Sequence, residues 1–348
     1  VMLFLGLEIG SIALYVLAGF TLGDKRSNEA AIKYFVLGSF ASAIFIYGVA
    51  LLYAGTGQFE ILGLRGFLTN NVVFNPTVIL IGTALVIVGL GFKVSAAPFH
   101  TWAPDVYQGA PAGAVGYMAS VAKIAGFIAL ARILLRGLLD IDASWLPVLA
   151  GVSALSMLVG SVLALLQNDV RRMLAYSGVA HAGFIMTGIV GGTTTGILFY
   201  LGVYAVQLVA SFAIVSTVGD PADSASGIDD YRGLASRSPG LAAAFSVLLL
   251  GMAGLPVTSG FVAKFGVFAS AWTAGYSWLV IVAVLASVIA FAFYLRIIVV
   301  MYMEDSDLGR LAVSGATRIV LGLAVVVTIL WGILPGSLRD LAARAFPL

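Results

Sequence analysis

Four charged residues stand alone in apolar stretches that are each long enough to cross a lipid bilayer. Each stretch holds one of them: Glu8 in residues 1–23, Lys93 in 77–104, Lys123 in 106–131 and Lys264 in 238–295. An isolated charge at membrane depth costs roughly 3 kcal/mol on insertion scales, so such residues usually face a partner or a water-filled path. The pattern therefore predicts a membrane protein that moves ions or protons.

Composition agrees with this class and excludes several others. The chain is 61% hydrophobic and 10% charged, which excludes a soluble globular domain. Its 18 basic residues are spread along the whole length without a cluster, so nothing indicates nucleic-acid binding. The lack of cysteine excludes disulfides, iron–sulfur ligation and a cysteine nucleophile. Any redox centre is therefore expected in another subunit, and neither histidine has a second ligand at metal-binding spacing.

The predicted fold is all-α, with about ten transmembrane helices. A hydrocarbon core about 30 Å thick needs about 20 apolar residues of helix. Windows of that kind lie at residues 1–22, 32–54, 77–102, 110–135, 145–166, 170–190, 195–218, 241–271, 278–303 and 317–334. The first window begins in mid-helix without a basic segment before it. It does not resemble a signal peptide, and we expect further membrane helices to precede Val1.

Basic residues in the loops predict the orientation of these spans. If successive spans alternate in direction, ten Lys and Arg residues fall on one side and five on the other. The richer side is expected to be cytoplasmic. It includes the segment DKRSNEAAIK, expected as a loop after the first span, and the polar loop 219–240.

Two spans contain a proline close to a lysine. Pro98 follows Lys93 by five residues, and Pro256 precedes Lys264 by eight. Proline removes a backbone hydrogen bond, and in lipid the freed carbonyl groups need neighbouring helices, water or hydroxyls such as that of Thr258. Two broken helices that each carry a lysine are typical of the repeated halves of transporters, which place the ion path there. Packing kinks without a transport role are the alternative.

The span that holds Lys123 is rich in small residues. Ala112, Gly116 and Ser120 recur in it at intervals of four. Small residues at this spacing let neighbouring helices approach closely. We therefore expect this helix to lie in the interior of the bundle.

The lone charges indicate a route for protons. We expect Glu8 to pair with Lys93, which holds a proton on the lysine. When the pair separates, Lys93 becomes a proton donor to the next site, Lys123. A static ion pair that only orients two helices is the alternative.

His181 is a candidate relay, because an imidazole titrates near neutral pH. It falls in mid-span, with Tyr176 and Ser177 one to two turns earlier. From there it could connect the regions of Lys123 and Lys264. A buried histidine that only hydrogen-bonds a carbonyl group is the alternative.

Polar residues between the spans are expected in solvated loops. Asp105, Tyr107 and Gln108 indicate a short polar exit after the first broken helix, and Arg171 and Arg172 belong to a turn between two spans. No phosphate-binding loop pattern occurs, so no nucleotide site is predicted.

Several long strings give the sequence a family resemblance. They are LGLE…YVLAGF, FKVSAAPFHTWAPDVYQGAP, MASVAKIAGF, QNDVRRMLAYSGVAHAGF, DDYRGLASRSP and GLPVTSGFVAKF. Essentially the whole chain resembles the antiporter-like membrane subunits of respiratory complex I, and most closely the subunit N family. Subunit M typically has glutamate where Lys264 stands, and subunit L continues into a long lateral helix after its last span.

The resemblance implies a fold of fourteen helices with two inverted five-helix repeats, each with a broken helix. The chain would then start at the family's fifth helix. Residues 1–135 would be the remainder of the first repeat, 145–303 the second repeat, and 304–348 the last helix and tail. Residues that translocate protons in the family match Glu8, Lys93, Lys123, His181 and Lys264.

The same resemblance implies partners and a location. Electrons would pass from NADH to quinone through FMN and iron–sulfur clusters in other subunits, and this chain would carry no cofactor. Its partners would be other membrane subunits and the lipid of the bacterial inner membrane. Two alternatives remain: a multi-subunit cation/proton antiporter that exchanges sodium for protons, and a membrane spacer that only anchors partner subunits.

Overall fold

The computed structural model describes residues 1–71, 76–219, 227–306 and 309–345, and within them the chain is all-α. An isolated bridge between Asp169 and Gly227 is the only β pairing in these ranges. Part of the predicted polar loop 219–240 and the end of the tail, 346–348, lie outside the described residues. The predicted helical class is confirmed.

Sixteen α-helices lie within the described residues, in the following order along the chain. They are α1 Met2–Ala18, α2 Lys25–Thr56, α3 Ile61–Asn70, α4 Thr77–Lys93, α5 Trp102–Gly109, α6 Ala112–Tyr117, α7 Lys123–Arg132, α8 Asp142–Leu165, α9 Val170–Val190, α10 Thr194–Val218, α11 Leu234–Arg237, α12 Pro239–Ala253, α13 Ser259–Thr273, α14 Ser277–Met303, α15 Gly315–Ile333 and α16 Gly336–Ala345. Among the described segments, seven are long and apolar enough to cross a membrane. The shorter apolar helices α1, α4 and α12 complete the ten predicted spans.

Helix α2 begins earlier than predicted. The Asp24 side chain accepts a hydrogen bond from the backbone N–H of Arg26 at 2.9 Å and caps the helix, which starts at Lys25. The expectation that DKRSNEAAIK forms a loop is therefore wrong, because a good N-cap residue lies at its first position. Helix α1 also ends at Ala18, four residues before the predicted end of its span.

Both predicted interruptions are present in the backbone. The first separates α4 from α5 and contains Pro98 and Ser95, whose φ is 59°. The second separates α12 from α13 and contains Pro256 and Val257, whose φ is 76°. A β-branched residue at positive φ is a conformational outlier that its surroundings must hold in place. The division of the chain into two repeats stays a prediction.

Helix α9 forms the centre of the bundle. Its apolar window is 94% buried, against 17% for that of α15. Glycines allow the close approach of α8: a Cβ on Gly160 would lie 2.3 Å from the backbone nitrogen of Ala180. The α6–α7 segment, joined by the π-helical turn Met118–Ala122, is also mostly buried, as its small residues predict. These two segments carry His181 and Lys123 into the interior.

Candidate functional site

Glu8 and Lys93 form an ion pair between α1 and α4. The Nζ of Lys93 lies 2.9 Å from Oε1 of Glu8 and donates a hydrogen bond to Oγ of Ser11 at 2.6 Å. The hydroxyl of Ser42 on α2 donates to the same Glu8 oxygen at 2.7 Å. The side chains of Lys93 and Glu8 are 8% and 21% exposed, so the pair is largely desolvated. The expected pairing is present, and it joins three helices.

Lys93 is placed by the end of a half-helix. It is the last residue of α4, where the free carbonyl groups carry a partial negative charge that favours an ammonium group. A Cβ on Gly126 of α7 would lie 3.5 Å from Cβ of Lys93, so α7 packs directly against this position. A cavity of about 110 Å³ borders Lys93 and also Ala122 and Ala125. This volume, between Lys93 and the helix of Lys123, is large enough for several waters.

Lys123 lies in the interior of the bundle, directly after the π-helical turn. Its side chain is buried, and its Nζ donates a hydrogen bond to the backbone carbonyl of Gly178 on α9 at 3.1 Å. The ammonium group also lies 5.9 Å from the centroid of the Tyr107 ring, within range of a cation–π contact. Isolated π-helical turns are frequent at functional sites, because they turn a side chain out of regular helical register.

His181 is surrounded by tyrosines. Its Nδ1 lies 2.9 Å from the hydroxyl of Tyr200, its Nε2 lies 3.4 Å from that of Tyr294, and its ring stacks on Tyr204 with centroids 4.3 Å apart. The Tyr294 hydroxyl also forms a short hydrogen bond with Ser177. The imidazole is therefore part of a buried hydroxyl network rather than bonded only to a carbonyl group.

Lys264 sits at the second break. Its Nζ donates to the backbone carbonyl of Ala253 at 2.9 Å and to Oγ of Ser287 at 3.4 Å. Ala253 is the last residue of α12, so its carbonyl has no partner within that helix. The buried ammonium group thus satisfies the end of a half-helix that the break has exposed. It borders a cavity of about 390 Å³.

Phe184 separates Lys264 from His181. Its ring centroid lies 4.5 Å from Nζ of Lys264 and 5.7 Å from the imidazole centroid, in an edge-on arrangement. The described side chains form no continuous hydrogen-bond path across this ring, nor one from Lys93 to Lys123. The predicted site residues are therefore neighbours in one row, but only Glu8 and Lys93 touch directly.

The polar residues near Asp105 are not the solvated loops that we expected. Asp105 and Tyr107 belong to α5, and Tyr107 is fully buried. Asp105 accepts hydrogen bonds from Lys33 and Arg172, each at 2.8 Å, because α5 packs against the starts of α2 and α9. Arg171 is buried as well. Burial alone raises the pKa of Asp105. The hydrogen bonds and charges of its two basic partners lower it by more than burial raises it, so the pKa lies below its ordinary value.

The tyrosines around His181 were not predicted from the sequence. Tyr200 and Tyr204 are four residues apart in a largely apolar span and so share one helix face, which is a usable signal. Tyr294 gives no comparable pattern. His100 lies in the first break, apart from the row, with its ring 6.1 Å from that of Tyr176. Among the described residues no group of His, Asp and Glu could hold a metal ion.

The chain is similar to known proteins over nearly its whole length. The family described as NADH:quinone oxidoreductase/Mrp antiporter, transmembrane, matches residues 1–290. NADH-quinone oxidoreductase subunit N of Rhodococcus opacus is 46% identical over 352 residues, which cover 99% of this chain and 65% of that protein. The chain thus spans about two thirds of the length of the curated relatives it matches.

Solved structures share the fold. A chain of respiratory complex I from Thermus thermophilus with bound aureothin superposes with a TM-score of 0.85 at 34% identity, covering 97% of this chain and 74% of that one. A chain of the Mrp complex from Dietzia sp. superposes with a TM-score of 0.88 at 23% identity, covering 98% and 72%. At that identity the second likeness extends to the fold alone.

Proposed function

Because the chain belongs to the NADH:quinone oxidoreductase/Mrp antiporter transmembrane family, we propose that it is a proton-translocating membrane subunit of an NADH:quinone oxidoreductase. Its relative in Rhodococcus opacus carries the name of such a subunit, and the multi-pass architecture fits a place in the bacterial cell membrane. Electron transfer from NADH to quinone, with FMN and iron–sulfur clusters, belongs to partner subunits, since this chain has no cysteine to ligate a cluster.

The row of buried ionisable side chains carries this proposal. Lys123, His181 and Lys264 lie in the interior of a bundle whose outer face is apolar, and each has polar contacts within reach. A charge in such a place costs several kcal/mol and marks an ion pathway by default. A role that is only structural leaves the purpose of three buried ionisable groups on adjacent helices unexplained.

The geometry supports a stepwise transfer. Movement of Glu8 away from Lys93 removes the counter-charge that holds the proton, and the adjacent cavity gives that proton a hydrated way toward Lys123. His181 and its tyrosines then connect Lys123 to the region of Lys264, once water or a rotation of Phe184 bridges the gap. Moving one charge against 100 mV requires about 2.3 kcal/mol, which electron transfer in the partner subunits supplies.

The decisive test uses Lys123→Met in the assembled complex. Inverted membrane vesicles are supplied with NADH, and proton uptake is followed with a pH-sensitive dye. NADH oxidation by a soluble electron acceptor reports assembly independently. The control is Lys25→Met, which removes an exposed lysine at the start of α2. We expect the Lys123 variant to assemble but to lose most proton uptake per NADH, while the control keeps it. Full uptake in the Lys123 variant would refute the proposal and favour a membrane spacer.

A cation/proton antiporter subunit is the second candidate, because the matched family includes the Mrp antiporters and the Dietzia complex shares the fold. The two functions differ in their driving force. Proton movement that needs a sodium gradient and continues without NADH would favour the antiporter. Proton movement that requires NADH and ignores sodium favours the oxidoreductase subunit.

A further inference from the structure

A groove opens between the beginnings of α12 and α15, away from the row of buried charges. Its volume is about 560 Å³. Its walls are apolar and include Leu241, Ala244, Val247, Leu311, Leu321 and Val325. Helices α12 and α15 both begin at this end of the bundle, so the groove runs inward along two apolar helices from their shared end.

The outer end of the groove is polar. Arg318, in the first turn of α15, borders it and is exposed. No ion pair joins Arg318 to an acidic side chain within the part of the chain that the structure describes. Ser238, at the start of α12, borders the same end. The groove therefore combines one available positive charge with an apolar body.

The position of the groove selects the kind of occupant. Arg318 and Val325 are seven residues apart on α15, which corresponds to about 10 Å of depth. Ile319, Leu323 and Val326 are exposed on the same helix, so this side of α15 is chemically suited to contact hydrocarbon. A molecule that fits must bring a negative group to the end of the helices and an apolar chain below it.

We propose that this groove binds one phospholipid of the surrounding membrane, with its phosphate at Arg318 and an acyl chain between α12 and α15. Guanidinium and phosphate groups form paired, charge-assisted hydrogen bonds. Arg318 lies at the outer end of the groove, and its guanidinium group forms no ion pair with any described residue. The acyl chain gains little free energy by moving from the bilayer into the groove, because the interior of the bilayer is equally apolar. Retention of the lipid therefore depends on close packing in the groove and on the arginine.

Photolabelling of the whole purified complex tests this site. The probe is phosphatidylglycerol with a photoreactive group in one acyl chain, and labelled peptides are mapped after digestion. One variant, Arg318→Gln, removes the charge. The other, Gly322→Leu, fills the groove, since a Cβ at this position meets nothing within 4 Å and the larger side chain can be accommodated.

Matched controls lie outside the groove. Arg310→Gln removes an exposed arginine from the segment that precedes α15, and Gly151→Leu adds a side chain at an exposed glycine of α8 with nothing within 4 Å of its Cβ. NADH oxidation by a soluble acceptor verifies that every variant assembles, and this assay does not depend on how protons move.

The expected result is labelling of residues 239–247 and 318–325 in the unchanged chain and in both controls. Arg318→Gln should need about tenfold more lipid for equal labelling, as for the loss of one charge-assisted hydrogen bond. Gly322→Leu should abolish it. Three results would overturn the proposal: labelling that both groove variants leave intact, labelling that inorganic phosphate competes away, and absence of label in the unchanged complex.

Discussion

The side chain of Lys123, from α7, fills the space beside Gly178 on α9 that a larger residue would need. The ammonium group of the lysine donates to the carbonyl oxygen of the glycine, and a Cβ on Gly178 would lie 2.7 Å from Nζ. The same Cβ would lie 3.3 Å from the hydroxyl of Tyr204, whose ring stacks on His181. The lack of a side chain at position 178 thus brings the lysine next to the tyrosines around the histidine.

We expect Gly178→Ala to uncouple the complex without unfolding it. The atom that must move is the far end of a flexible side chain, so the fold can adapt, but Lys123 loses its contact with α9. Loss of one hydrogen bond from a charged group lowers the rate of proton transfer by about tenfold. Proton uptake by vesicles, divided by the NADH oxidised, measures this change.

Gly202→Ala on α10 is the matched control, because its Cβ meets nothing within 4 Å. If both alanine variants pump normally, the contact between Lys123 and Gly178 has no part in transfer.

A second prediction distinguishes an ion pair that only orients two helices from one that transfers protons. Glu8→Gln leaves the buried ammonium of Lys93 without its counter-charge, which we expect to destabilise the protein by about 3 kcal/mol. The double variant Glu8→Gln with Lys93→Met removes both charges and should regain much of that stability. Heat resistance of the detergent-purified complex reports stability, and vesicle assays report pumping.

The two interpretations differ in the double variant. If the pair only orients helices, restored stability should restore pumping. If the pair transfers protons, pumping should stay low although the complex is again stable. A double variant that pumps at the original rate would therefore remove Glu8 and Lys93 from the proposed pathway.

The sequence predicted the positions of the helices and of the lone charges better than the contacts between distant helices. Spans and breaks follow from hydropathy and proline, which act locally, so the interruptions near Pro98 and Pro256 were predictable. The pair of Glu8 and Lys93 was predictable because few charges in apolar spans leave few possible partners. The start of α2 was missed because a charged segment was taken for a loop, although Asp24 is a good cap.

Contacts between distant helices could not be deduced in this way. Tyr294 meets His181 only because α14 and α9 pack together, and no spacing in one sequence encodes that contact. The cluster at Asp105 is similar, since Lys33 and Arg172 come from helices far apart in the chain. Phe184, which interrupts the row before Lys264, looks like any other apolar residue of its span.

The hydroxyls around His181 give a third prediction. Tyr200→Phe and Tyr294→Phe keep the aromatic rings and their packing. Each variant removes one hydroxyl that hydrogen-bonds the imidazole of His181. If these hydroxyls relay protons, each variant should lower proton uptake by about tenfold, the effect of losing one aligned relay group. Tyr47→Phe, an exposed tyrosine on α2, is the control. Normal pumping in both buried variants would show that the tyrosines serve only packing.

The cluster at Asp105 gives a fourth prediction, about pH. Asp105 has a pKa below its ordinary value, although burial alone would raise it, because Lys33 and Arg172 donate to it. A carboxyl group with a lowered folded-state pKa stabilises the protein fully above its unfolded pKa of about 4, and the contribution is lost as pH falls through the folded value. Asp105→Asn should therefore lower the unfolding temperature at pH 7, and the difference from the unchanged protein should shrink below about pH 4.

The size of the Asp105 effect is expected to be modest, because the carboxylate is 36% exposed and water screens its charge. Asp340→Asn, on the exposed face of α16, provides the comparison and should change neither the unfolding temperature at pH 7 nor its dependence on pH. The measurement is the unfolding temperature of the purified complex in a series from pH 7 to about pH 2, which extends well below the unfolded pKa of the carboxyl group. A difference between Asp105→Asn and the unchanged protein that stays constant over this series would mean that the asparagine acts through shape rather than through lost charge.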